Sequence, residues 1–115
     1  LIAAAERVAK TAGASLRKGI YVGLTGPSLE TPSEVKFLKT IGAEAVGFST
    51  VQEVIAAVHS GMRVLGLSTI TNVHNPDDPV PATVEEIIEV AKGATPLLET
   101  IMKGITEEIY ETEIR

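Results

Sequence analysis

The chain has 115 residues, 44% of them apolar and 22% charged, a net charge of −5, a mean hydropathy of +0.23 and no Cys. That is one domain at most, too apolar for disorder, with apolar runs too short to cross a bilayer and no thiol for a disulfide, a nucleophile or a metal site. The basic residues are scattered and only two Tyr and two Phe are present, which argues against a nucleic-acid surface.

In residues 1–12, Ile2, Ala5, Val8 and Ala9 fall on one side and Glu6, Arg7 and Lys10 elsewhere, which is helical spacing, and Gly13 ends the helix. The start lacks an initiator Met and a signal-peptide pattern, so the sequence is expected to enter a longer chain partway through. Residues 20–24 read as a strand, closed by Gly26 and Pro27. Thr31, Pro32 and Glu34 spell a capping box that opens a helix ending at Gly42, with Val35, Leu38 and Ile41 toward the sheet. A strand at 45–48 follows, then a second box, Thr50 with Glu53, and a helix carrying Val51, Val54, Ile55 and Val58 that Gly61 closes. Residues 63–70 are apolar almost throughout, which predicts a central strand covered on both faces.

Pro76, Pro79 and Pro81 stiffen the loop 73–82, which reads as a lid or rim of a site or as a plain surface connection. A third box, Thr83 with Glu86, opens a last helix whose stripe runs through Val84, Ile87, Ile88, Ala91, Leu97, Leu98, Ile101, Met102, Ile105 and Ile109; Pro96 should kink or break it. Glu85, Glu86, Glu89 and the acidic tail read as solvated helix face.

Successive strand and helix units predict an α/β fold with a parallel or mixed sheet, and in such sheets ligands lie beyond the carboxyl ends of the strands. Three polar strand endings, 26–31, 47–50 and 69–72, therefore place Glu30, Ser49 and Asn72 on one edge. Ser49 precedes a helix and either caps it or holds an anion such as phosphate at the first-turn N–H groups. Glu30 is either a bidentate acceptor for a ligand or a solvated partner of the helix dipole. Asn72 carries an amide that donates and accepts at once, suited to a ring nitrogen beside a carbonyl, or it bonds its own turn. His59 and His74 read as structural or surface groups with no metal-ligand spacing.

Residues 19–72 resemble the trimeric, low-molecular-mass class of purine nucleoside phosphorylases. That family's G-P-x-aromatic-E-T loop, L-x-x-x-G-A-D-A-V-G-M-S-T run, E-V-x-x-A-x-H-x-G helix and S-x-I-T-N strand end all have counterparts here in order. The resemblance implies a three-layer α/β/α phosphorylase/hydrolase-like fold with a mixed central sheet, of which residues 1–115 form the C-terminal part of a single domain. It implies phosphorolysis of 6-oxopurine nucleosides or deoxynucleosides to free base and sugar 1-phosphate in the cytoplasm, by a homotrimer of the full-length subunit. Inorganic phosphate is then a co-substrate, with no cofactor and no metal, and neither nucleic acid nor membrane is a partner.

Carried over by position, Glu30 accepts the purine N1–H and any 2-amino hydrogen, Asn72 bonds N7 and O6 of the departing base, and Thr71 supports it. Ser49 holds phosphate, Phe48 stands where Met usually meets the ribose, and Tyr21 lines the pocket. Leu29 replaces an aromatic residue against the base, and Val84 replaces a His that many members turn to the ribose 5′-hydroxyl. A methylthioadenosine phosphorylase-like enzyme is the alternative within the family, although Thr71 and Asn72 differ from its T-D ending, and Asn suits 6-oxopurines where Asp suits 6-aminopurines. The family's Ser-bearing loop, Arg-x-His motif and ribose-facing Tyr have no counterpart here, so the 115 residues alone are expected to be inactive. A non-catalytic α/β remnant or interaction module with weak purine binding is the other alternative.

Overall fold

A computed structural model describes residues 1–80 and 82–113; Pro81, Ile114 and Arg115 lie outside the described residues, and with Pro81 part of the expected proline loop. The elements run α1 (Ile2–Thr11), β1 (Tyr21–Gly23), α2 (Pro32–Thr40), β2 (Ala45–Gly47), α3 (Val51–His59) and α4 (Val84–Glu113).

The helix ends follow local chemistry. Gly13, Gly42 and Gly61 all have positive φ, at 74°, 91° and 77°. Each sits one residue past a C-cap, and its N–H and the next one bond back to the last turn: Gly13 to Lys10 and Ala14 to Ala9, Gly42 to Lys39 and Ala43 to Leu38, Gly61 to Val58 and Met62 to Ala57. These are Schellman closures, which a residue with a Cβ makes only under strain. At the starts, Thr31 Oγ1 accepts from Glu34 N while Glu34 returns a carboxylate oxygen to Thr31 N, and Thr83 and Glu86 repeat the exchange. Those N–H bonds, and then the Thr hydroxyls, hold the Glu34 and Glu86 carboxyls below the usual Glu range.

One expectation fails at the level of a single element, and a second is narrowed at Pro96. Thr50 makes no side-chain cap, because its φ of 79° and ψ of −51° put it at the centre of a γ-turn closed by Val51 N to Ser49 O at 2.9 Å; its hydroxyl meets Ser49 Oγ instead. Pro96 does not break α4, which runs through it for 30 residues. The carbonyl that loses its partner belongs to Lys92, on an exposed turn, where it is open to solvent.

The sheet pairs β1 with β2 in parallel, Tyr21 opposite Ala45 and Gly23 opposite Gly47, and α2 makes the crossover. The strand expected at 63–70 is not one among the described residues, since a strand exists only through its ladder and neither β1 nor β2 pairs with this run. Its expected two-sided cover is also corrected. Leu65 and Leu67 pack against the helices while Val64 and Ile70 are exposed, so one face alone is covered.

That covered face meets the core. Ala5, Ala9, Ile101 and Ile105 are buried together, flanked by Val8, Leu16 and Ile109, so α1 lies on the second half of α4. Gly104 makes the approach possible: a Cβ there would fall 2.5 Å from Val8 Cγ1. Arg7 of α1 pairs with Glu108 of α4 at the rim. On α2, Val35 and Leu38 are buried, whereas Ile41, like Ile55 and Val58 of α3, is exposed. Between Leu65, Leu67 and α4 runs an open groove of about 360 Å³.

Candidate functional site

The polar strand endings assemble into two groups. The first joins the end of the β1–α2 loop to residues 71–74. Glu30 precedes the α2 cap and is held with its side chain only 2% exposed. Its Oε2 lies 3.4 Å from His74 Nε2, and its Oε1 is buried without a partner among the described residues. His74 Nε2 is also 3.1 Å from Asn72 Nδ2, and Asn72 Oδ1 accepts from Thr71 Oγ1 at 3.0 Å. Glu30 and Asn72 therefore share one imidazole.

A single ring nitrogen cannot accept from Asn72 and donate to Glu30 at once. A carboxylate this far from water needs a donor, and His74 is the one at hand. The ring nitrogen therefore serves one of them at a time, donating to Glu30 when it carries its proton and accepting from Asn72 Nδ2–H when it does not. Beside this chain of groups opens a pocket of about 190 Å³, lined by Leu29, Glu30 and His74 on one side and by Pro32, Pro76 and Pro79 among the rest. The proline loop is thus a rim and not a detached connection. Lys36 of α2 pins it through Asp77 at 2.7 Å, and that hydrogen bond and charge keep the Asp77 carboxyl below its ordinary range.

The second group lies at the β2–α3 turn. Tyr21 passes over Gly47, where a side chain would collide with its phenol, and its hydroxyl donates to Ser49 O at 3.2 Å. Tyr21 is therefore a brace on the turn. Ser49 is exposed, and because Thr50 does not cap α3, the first-turn N–H groups of that helix receive no side-chain oxygen from it. Phe48 lies against Gly26, whose positive φ and missing side chain admit the ring at 3.3 Å from an ideal Cβ. Val84 belongs to neither group; it is 66% exposed on the first turn of α4.

Glu30, Thr71 and Asn72 are thus brought together, Leu29 borders their pocket, and Tyr21, Phe48 and Ser49 form a neighbouring set. His74, set aside by the sequence reading, joins the first group. Its signal was its position two residues after Asn72, since alternate residues of an extended run share a face. Among the described residues no cluster of three or more His, Asp or Glu is placed to hold a metal ion, and no helix is long and apolar enough to cross a membrane.

Residues 1–107 match the family described as the phosphorylase superfamily. Over 107 residues the chain is 45% identical to purine nucleoside phosphorylase 1 of Bacillus subtilis, covering 93% of this chain and 39% of that protein. Over 88 residues it is 46% identical to purine nucleoside phosphorylase 1 of Geobacillus stearothermophilus, covering 76% and 32%. The fold superposes on a crystal structure of a schistosoma purine nucleoside phosphorylase in complex with hypoxanthine with a TM-score of 0.88 at 29% identity, over 94% of this chain and 40% of that one. The chain spans 32–39% of the length of these two curated relatives.

Proposed function

The chain belongs to the phosphorylase superfamily, and on that premise we propose that it carries the base-holding edge of a purine nucleoside phosphorylase. Residues 1–115 are the C-terminal part of one three-layer α/β/α domain with a mixed central sheet. The whole enzyme is a cytoplasmic homotrimer that uses inorganic phosphate as co-substrate and needs no cofactor.

The observation that carries this reading is the meeting of a buried carboxylate and a loop amide: Glu30 and Asn72, from distant parts of the chain, reach one imidazole beside a pocket. In phosphorolysis a phosphate oxygen bonds to C1′ of the sugar as the C1′–N9 bond breaks. The sugar becomes positive and the purine leaves as an anion, so the useful groups are those that bind these charges better than the neutral substrate. Glu30 fixes the base through N1–H, and Asn72, supported by Thr71, bonds N7 and O6 as negative charge grows there. Leu29 gives aliphatic contact to the base. Ser49 and the first turn of α3 hold phosphate, Tyr21 steadies that turn, Phe48 faces the ribose, and Val84 leaves the 5′ end of the sugar without a polar partner. Asn72, where Asp would prefer a 6-amino group, favours 6-oxopurines.

One Ser and one helix end are a weak phosphate site, so the 115 residues by themselves bind nucleoside without turning it over. The test is phosphate-dependent release of hypoxanthine from inosine. The expected result is none from the purified chain, and turnover that Glu30→Ala abolishes once the chain is carried within a subunit of its relatives' length. Turnover of the longer protein that survives Glu30→Ala would sink the assignment.

A further inference from the structure

Asn72 is held at both ends of its amide. Thr71 Oγ1 donates to Oδ1 at 3.0 Å, and Nδ2 lies 3.1 Å from His74 Nε2. Each end keeps a second valence, since Nδ2 carries another hydrogen and Oδ1 another lone pair, so the anchored amide still offers one donor and one acceptor. The residue is only half-buried, which leaves that pair open to a base edge.

The hold on Nδ2 exists in one charge state of the ring. An uncharged imidazole with its proton on Nδ1 accepts from Nδ2–H. An imidazolium instead presents Nε2–H, which sets donor against donor at Asn72 and faces Glu30 Oε2 at an ion-pair distance of 3.4 Å. Glu30 comes from the loop before α2. Of the charged groups around it, Lys36 of α2 is paired with Asp77 of the rim at 2.7 Å, Lys39 adds its charge on Asp77, Glu34 is taken up by the Thr31 cap, and Asp78 is exposed. A proton arriving at Nε2 therefore exchanges Asn72 for Glu30.

We propose that His74 is a positioning residue that, uncharged, aims the Asn72 amide at the purine edge and, protonated, lets it go in favour of Glu30. This rests on the purine reading of the site. An amide already aimed meets N7 and O6 without first giving up its freedom to turn, so the base is held more tightly while the ring is uncharged.

Calorimetric titration of the 115-residue chain with hypoxanthine between about pH 8 and pH 5, the span in which imidazoles change charge, tests this beside His74→Ala and His74→Gln, each verified as folded by circular dichroism. The wild-type affinity is expected to fall about fivefold from the alkaline to the acid end, the scale of one neutral hydrogen bond. His74→Ala is expected to stay at the weaker value throughout. His74→Gln, whose Oε1 accepts from Asn72 Nδ2–H without titrating, is expected to restore the tighter value and keep it across the range. The side-chain amide resonances of Asn72 supply a readout that needs no ligand: in the wild type they should move together with those of the His74 ring, with His59 as the internal reference. A wild-type affinity that does not fall, a fall that persists in His74→Ala, a Gln variant no tighter than the Ala variant, or Asn72 resonances that ignore the His74 ring overturns the proposal. No binding of hypoxanthine by any of the three proteins would instead overturn the purine reading, and the Asn72 resonances would still decide whether His74 holds the amide.

Discussion

Between α1 and α4 every buried side chain is apolar and small or branched, Ala5 and Ala9 against Ile101 and Ile105, with Leu65 and Leu67 packed against them from the 63–70 run. At the strand ends a charged side chain, Glu30, is equally hidden, and it is supported by three-residue strands, a turn and a rim loop. The first region gains from burial alone. The second buries a carboxylate oxygen without a partner among the described residues, a cost of order 1–3 kcal/mol or more. On the proposed function, stability and recognition reside in separate parts of the chain, and substitutions should separate them.

The largest effect is expected at the helix pair. Ile101→Ala should destabilise by about 2–5 kcal/mol in denaturant titration, because the cavity adds to the lost transfer energy. Inosine affinity per folded molecule should not change; a matching loss of affinity would mean that the two regions are one. Gly104→Ala is a closer contest. The added methyl improves helix propensity by about 1 kcal/mol, yet it falls 2.5 Å from Val8 Cγ1, and overpacking of that kind costs about 1–3 kcal/mol. The net should be destabilising, and Val8→Ala in the same protein should restore the gain.

Smaller effects belong to the site region. Thr31→Ala removes the hydroxyl of a complete capping box and should cost about 1 kcal/mol, with faster amide exchange in α2 and none in α1. Smallest is the response to acid. Because the folded Glu34 and Glu86 carboxyls titrate below the ordinary Glu range, their contribution is complete above that range and is lost as pH falls through the folded values. Glu34→Gln and Glu86→Gln should each flatten the acid limb of a stability–pH curve, and an unaltered limb in both would remove the boxes from the account.

What the sequence made legible was what is decided locally. Gly13, Gly42 and Gly61 stop helices because the backbone there adopts positive φ, and Thr31 and Thr83 start them because the answering Glu lies three residues on. Thr50 and Glu53 carry the same letters without the same outcome, since Tyr21, distant in sequence, fastens Ser49 and the turn rotates Thr50 away from the helix. The run 63–70 read as a central strand because its composition is right, but ladder partners and a second covering face are not written in composition. Topology places Glu30, Ser49 and Asn72 on one edge, and of these Glu30 and Asn72 meet at His74 whereas Ser49 stands with Tyr21 in the neighbouring group. That an imidazole would join them, and that a Lys36–Asp77 pair would hold the rim beside them, depended on how a proline loop folds back.

The central claim is that Glu30 anchors a purine. Its most direct test is calorimetric titration of the chain with hypoxanthine, wild type against Glu30→Ala, with Ile101→Val as a control for stability. Loss of the charge-assisted hydrogen bond, about 1.5–3 kcal/mol, predicts an affinity about 10- to 150-fold lower in Glu30→Ala and unchanged in the control. Equal affinity in wild type and Glu30→Ala would contradict the account.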